Sequence, residues 1–136
     1  MADNGPLLGV ENLSVEFSTE HGLVRVVDGV SFSIAQGETF CLVGESGCGK
    51  TVTALAIMRL VQSPPGRIAS GRVVFDGEDL VRAPEWRARQ VRGAGISMVF
   101  QEPMAALNPV FTIGEQVAEG IRVHLGVSRN EARALA

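Results

Sequence analysis

The chain has 136 residues, 46% of them hydrophobic and 20% charged, an ordinary globular composition at a length that buries a genuine core. Its formal net charge of −3 excludes the broad basic field that non-specific nucleic-acid binding needs, so a nucleotide and not a nucleic acid is the indicated anion. Cys41 and Cys48 lack a close-spaced partner pair or histidine cluster, no run reaches membrane-spanning length and no signal-peptide pattern opens the chain, so a cytoplasmic protein with reduced thiols is expected.

The chain begins with strands. Val10, Leu13, Val15 and Phe17 lie among polar neighbours, and the last three alternate as a half-buried strand requires. Val24, Arg25, Val26 and Val27 are separated from Val30, Ser31, Phe32, Ser33 and Ile34 by Asp28-Gly29, either a hairpin turn or a bulge. Residues 8–38 therefore read as antiparallel, and residues 39–103 as a strand-helix core.

Thr39, Phe40, Cys41, Leu42 and Val43 form an apolar run of strand length, the pattern of a strand buried on both faces. Val43-Gly44-Glu45-Ser46-Gly47-Cys48-Gly49-Lys50-Thr51 follows, and it reads as a phosphate-binding loop. Backbone N–H groups turned inward along a tight bend meet the many oxygens of a polyphosphate, where side chains would obstruct. Gly44, Gly47 and Gly49 are expected to supply positive φ angles and close approach, Lys50 a mobile charge, and Thr51 a hydroxyl for the magnesium ion. Residues 51–61 are apolar on nearly every side, which predicts a helix buried almost all round whose N-terminal dipole points at the phosphates. Pro64 is expected to end it.

Gly71, Arg72, Val73, Val74 and Phe75 resume as a strand, and Asp76-Gly77 reads as a turn in preference to the acidic metal ligand of a nucleotide hydrolase. Residues 83–92 predict a polar helix, and Arg82, Arg87, Arg89 and Arg92 around Trp86 read as a solvated face with Trp86 turned inward in preference to a nucleic-acid patch, since Glu85 dilutes the charge and no further aromatics interleave. Ile96, Ser97, Met98, Val99 and Phe100 form a second buried strand ending on Gln101, whose amide could complete a magnesium shell or hold an attacking water. Met104 to Pro109 is a loop. Thr112 caps a helix that buries the stripe Ile113, Val117, Ile121 and Leu125, and Gly126 stops it. Ser128-Arg129-Asn130-Glu131 is a capping box that announces another helix, whose remaining length is marginal and suggests that something follows Ala136.

Gly44-Glu45-Ser46-Gly47-Cys48-Gly49-Lys50-Thr51, with Phe100-Gln101-Glu102-Pro103-Met104 and Leu107-Asn108-Pro109, resembles the ATP-binding subunits of ABC transporters, specifically the dipeptide, oligopeptide and nickel importer branch. The resemblance runs from about Leu8 to the end and implies an α/β fold: a P-loop NTPase core with an antiparallel β subdomain, truncated at the start of a helical subdomain over residues 104–136. It implies ATP and magnesium as ligands. Gln101 would bind the metal and couple the nucleotide site to transmembrane permease subunits, and a second ATP-binding subunit, identical or not, would complete a head-to-tail pair. An extracytoplasmic solute-binding protein would be an indirect partner, and the chain would sit on the cytoplasmic face of the membrane.

Two positions depart from the family pattern. Val24 lines up where an aromatic residue commonly stacks on adenine, so base stacking would be weak, and Cys48 stands where serine is usual, open to alkylation or oxidation. The Leu-Ser-Gly-Gly-Gln signature, the acidic strand with its catalytic glutamate and the switch histidine do not occur, and neither His21 nor His124 fits the last role. The chain alone is therefore expected not to turn over ATP. A non-catalytic protein that occupies the permease docking site is a competing reading. A small P-loop kinase or GTPase is a third, disfavoured because no Asn-Lys-x-Asp guanine-reading string is present.

Overall fold

Thr19, Glu20, His21 and Gly22 turn the chain between two long antiparallel strands, β1 (Leu8–Thr19) and β2 (Gly22–Ile34). The computed structural model describes residues 5–101 and 107–136, which divide into two compact units, Met1–Ala88 and Arg89–Ala136. In the first unit β1 also pairs antiparallel with β3 (Gly66–Phe75), and β3 with the short β4 (Glu78–Asp79), giving a four-stranded sheet of order β2-β1-β3-β4. Val10, Leu13 and Val15 of β1, Val27 of β2 and Val73 of β3 are buried, and α1 (Lys50–Ile57) rests on β1 and β2.

The sheet is shaped by residues out of register. Between the pairs Val10↔Phe32 and Leu13↔Val30, β1 carries one residue more than β2, and Asn12 turns through φ 47 to accommodate it. Gly71 of β3, at φ 98, lies so close that an added Cβ would stand 2.6 Å from the Asn12 carbonyl oxygen. Asp28-Gly29 is a bulge and not a hairpin turn: β2 runs through it unbroken, Gly29 takes φ 61, and its N–H donates to Ser14 Oγ at 3.0 Å. Asp76 and Gly77, at φ 48 and 80, form the tight turn that the sequence predicts between β3 and β4.

Glu16 ties three strands together. Its carboxylate, on a side chain only 10% exposed, accepts from Arg25 of β2 at 2.9 Å and from Arg67 of β3 at 2.8 Å. The hydrogen bonds from Arg25, then those from Arg67, hold its carboxyl below the usual carboxylate range. A depressed folded-state pKa contributes stability above the unfolded value of about 4.3, and that stability is lost as pH falls through the lowered pKa. Glu16→Gln is therefore expected to melt below the parent at pH 7, with the gap closing as the pH is lowered through that range. Thermal melts across pH 2 to 7, roughly the span over which a carboxylate titrates, check this, and a gap independent of pH would refute it.

Several expected elements take other forms. Residues 39–43 and 96–100 are not strands, and Val43 and Val99 are 88% and 96% exposed. A parallel strand exists by hydrogen bonding to neighbours, and among the described residues no strand lies alongside either segment. Phe40 instead stacks on Phe32 of β2, ring centroids 4.7 Å apart and ring planes nearly parallel. Helix α1 buries one face, through Thr53, Ala56 and Ile57, and ends at Ile57, well before Pro64, because Arg59 swings into the left-handed region at φ 53.

The helix α2 (Glu85–Ala94) exposes Trp86 to 63%, contrary to its expected inward position, and loses helical geometry at Arg92 and Gly93. In the second unit Thr112 Oγ1 caps α3 (Ile113–Leu125) by accepting from the Glu115 N–H, and Gly126 closes it in the left-handed region. Its stripe is not core among the described residues: Ile113, Val117 and Leu125 are exposed, and the buried position is Ala118. The Ser128/Glu131 capping box forms in both directions at the start of α4 (Arg129–Leu135), and Glu115 of α3 receives Arg129 at 2.7 Å and Arg133 at 3.0 Å. Residues 102–106, including Met104, lie outside the described residues.

Candidate functional site

The bend from Gly44 to Gly49 carries the chain into the first turn of α1. Gly47 and Gly49 take φ 81 and 89, conformations that a Cβ disfavours. Gly44 is not in the left-handed region. An added Cβ there would stand 2.6 Å from Cys48 Sγ, the end of an exposed side chain that would have to turn aside.

Lys50 folds back over the bend. Its Nζ donates to the Gly44 carbonyl at 2.8 Å and the Glu45 carbonyl at 2.6 Å, and lies 3.4 Å from Cys48 Sγ. These bonds hold the ammonium above the crook of the loop. Gly49 caps α1 with no side-chain hydrogen bond, and no acidic residue sits in the first turn. The N–H groups at that end, which have no intrahelical acceptor, therefore face outward beside the positive pole of the helix. Thr51 is exposed in the first turn, while Thr53 Oγ1 turns inward to donate to the Gly49 carbonyl at 2.9 Å. Glu45 and Ser46 are exposed at the tip. Chemically, the loop offers amide donors, one ammonium and one hydroxyl to a single small volume, a set matched to a polyanion and its counter-ion.

The loop is seated by a strand that sequence reasoning did not connect to it. Between the pairs Val15↔Val27 and Glu16↔Arg25, β2 holds one residue more than β1, and that residue is Val26. An added Cβ on Gly49 would come within 2.7 Å of the Val26 carbonyl oxygen and 3.3 Å of Val27 Cγ2. The bend thus rests on a bulged stretch of β2. No local signal announces such a contact, because it joins residues over twenty positions apart.

The remaining predicted residues are placed as follows. Val24 is on β2 opposite Phe17, with 47% of its surface exposed. Gln101 belongs to the second unit and is exposed at the end of the described segment. Cys41 and Cys48 are both free and exposed. Among the described residues there is no group of three or more His, Cys, Asp and Glu able to hold a metal ion, and no helix is long and apolar enough to cross a membrane.

Comparison with known proteins places the chain in a family. The ABC transporter family profile matches residues 27–136. The chain is 47% identical over 127 residues to the dipeptide transport ATP-binding protein DppD of Bacillus subtilis, covering 93% of this chain and 38% of that protein. It is also 47% identical over 135 residues to the glutathione import ATP-binding protein GsiA of Escherichia coli, covering 96% of this chain and 22% of the relative. The chain thus spans well under half the length of either. Among solved structures it is similar to the dimeric structure of MJ0796, a bacterial ABC transporter cassette, with a TM-score of 0.78 at 22% identity over 93% of this chain and 53% of that one. The same cassette bound to ADP and Pi superposes with a TM-score of 0.76 at 20% identity. With the family profile covering most of its length and an α/β fold shared with these cassettes, the chain belongs to the ABC transporter family.

Proposed function

We propose that the chain is the nucleotide-binding part of the subunit that energises an ABC importer of peptide-like solutes, and that the bend from Gly44 to Thr51 binds ATP. The observation that carries this reading is Lys50 held over the loop by the Gly44 and Glu45 carbonyls at the uncapped N-terminus of α1. Those donors suit the outer phosphates of a triphosphate. The kinship to dipeptide and glutathione import proteins supports the solute class.

Magnesium fits the donor set as a ligand-borne ion. Thr51 contributes one exposed hydroxyl, and phosphate oxygens and water complete the shell of a cation that rarely sits in an all-protein cage. Gln101 is proposed as the further amide that senses the metal. Transmembrane permease subunits, a second ATP-binding subunit and an extracytoplasmic solute-binding protein are the proposed partners, at the cytoplasmic face of the membrane. Val24 offers the adenine an aliphatic surface in place of an aromatic stack, so affinity comes chiefly from the phosphates.

Calorimetry with Mg-ATP tests the reading directly. Heat of binding at micromolar to millimolar ligand is expected, with no steady-state phosphate release by the chain alone. Absence of heat with folded protein would defeat the ATP assignment, and turnover by the isolated chain would defeat the claim that a second set of residues completes the site. Thr51→Ala is expected to weaken binding about tenfold in magnesium and much less in EDTA, as loss of one ligand to a charged centre implies. Equal weakening in both buffers would remove Thr51 from the metal shell.

A further inference from the structure

The helix that starts at Lys50 ends in a side-chain clamp. Past its C-cap, Arg59 stands at φ 53, a region unfavourable to any residue with a Cβ, and its largely buried side chain reaches across to the connection between β4 and α2. There Nη1 donates to the Leu80 carbonyl at 3.2 Å and to the Ala83 carbonyl, while Nη2 lies 3.4 Å from Glu85 Oε2. The planar, always-charged fork offers two separate nitrogens, one to the carbonyls and one to the carboxylate, whereas a lysine has a single nitrogen to present.

Loop, helix and clamp follow one another without interruption along the chain. Helix α1 has only eight residues, about 12 Å of hydrogen-bonded backbone, so a tilt at its N-terminal end reappears at Arg59. The connection it grips is anchored on the sheet by the Leu80 N–H, which donates to the Val73 carbonyl at 2.7 Å, and leads directly into α2. We propose that Arg59 is a positioning residue that transmits occupancy of the phosphate loop to residues 80–85. This inference rests on the ATP-binding reading and adds to it a route by which the nucleotide is felt away from the loop.

Hydrogen exchange of the full 136-residue chain, with and without Mg-ATP, tests it. In the parent, Mg-ATP is expected to slow exchange of the amides in residues 80–85 about threefold or more. Arg59→Met keeps length and loses the donors. It is expected to retain ATP affinity within about threefold while the slowing disappears, and Arg59→Lys is expected to restore less than half of it. A contact with only a structural role would lower the melting temperature and leave the nucleotide-dependent difference intact. Full slowing in Arg59→Met overturns the proposal, as does a parent chain that binds Mg-ATP in calorimetry without any slowing. If Arg59→Met does not fold, Glu85→Gln decides: it keeps both carbonyl bonds and is expected to reduce the slowing, and unchanged slowing overturns the proposal. Absence of binding heat in the parent would instead overturn the phosphate-loop reading, and this inference with it.

Discussion

Lys50→Ala is expected to bind Mg-ATP more than about a hundredfold more weakly than the parent chain, equivalent to about 3 kcal/mol, with little change in melting temperature. The large effect on binding follows from chemistry. The ammonium is the loop's own positive side chain, and hydrogen bonds between charged partners are the strong ones. The small effect on stability follows from position: Lys50 is half-buried at the start of a helix, and its substitution removes no core volume. Its bonds to the Gly44 and Glu45 carbonyls are solvent-accessible, so water takes over those acceptors when the ammonium is removed. Calorimetry paired with a thermal melt checks both halves. Unchanged affinity would show that Lys50 does not meet the ligand, and a collapsed melt would show that it acts on the fold.

Gly49→Ala is expected to be the most damaging substitution in the loop, costing about 2–4 kcal/mol of stability and abolishing measurable nucleotide binding. Two separate terms combine. An alanine at φ 89 is strained whatever its surroundings, by about 1–2 kcal/mol. Its Cβ would also stand 2.7 Å from the Val26 carbonyl oxygen, and backbone cannot swing aside as a flexible side chain can. Gly47 isolates the first term, because it has φ 81 and nothing within 4 Å of an added Cβ. Gly47→Ala should therefore lose only about 1–2 kcal/mol, and the difference between the two variants measures the contact with β2. Equal losses would mean that β2 does not seat the loop.

The bend from Gly44 to Gly49 is legible in the sequence because its requirements are local. A tight bend needs glycine, a polyanion needs amides and an ammonium, and both demands are written within nine residues. The caps of α3 and α4 were legible for the same reason: Thr112, Gly126, Ser128 and Glu131 bond to backbone no more than four positions away. The Asp76-Gly77 turn needed only two residues able to take positive φ.

The strand expected over residues 71–75 forms and pairs with β1, but other expectations that depend on a neighbour distant in sequence did not hold. The apolar runs at residues 39–43 and 96–100 advertise an appetite for burial, but a strand also needs another strand beside it. The stripe on α3 and the ring of Trp86 likewise show which surface is apolar, not what covers it. Gly44 shows the limit in one residue: a positive φ was expected there, and the backbone does not adopt one.

The sequence by itself therefore determined the glycine bend with its lysine, the ends of the two C-terminal helices and, through its motifs, the family, because each is set by residues within one or two turns of chain. Only the tertiary structure decided that a bulge at Val26 seats the loop, that Glu16 binds three strands through two arginines, and that Arg59 ends α1 by gripping residues 80–85. Those are agreements between segments tens of residues apart, and no local propensity encodes which surfaces a folded chain will bring together.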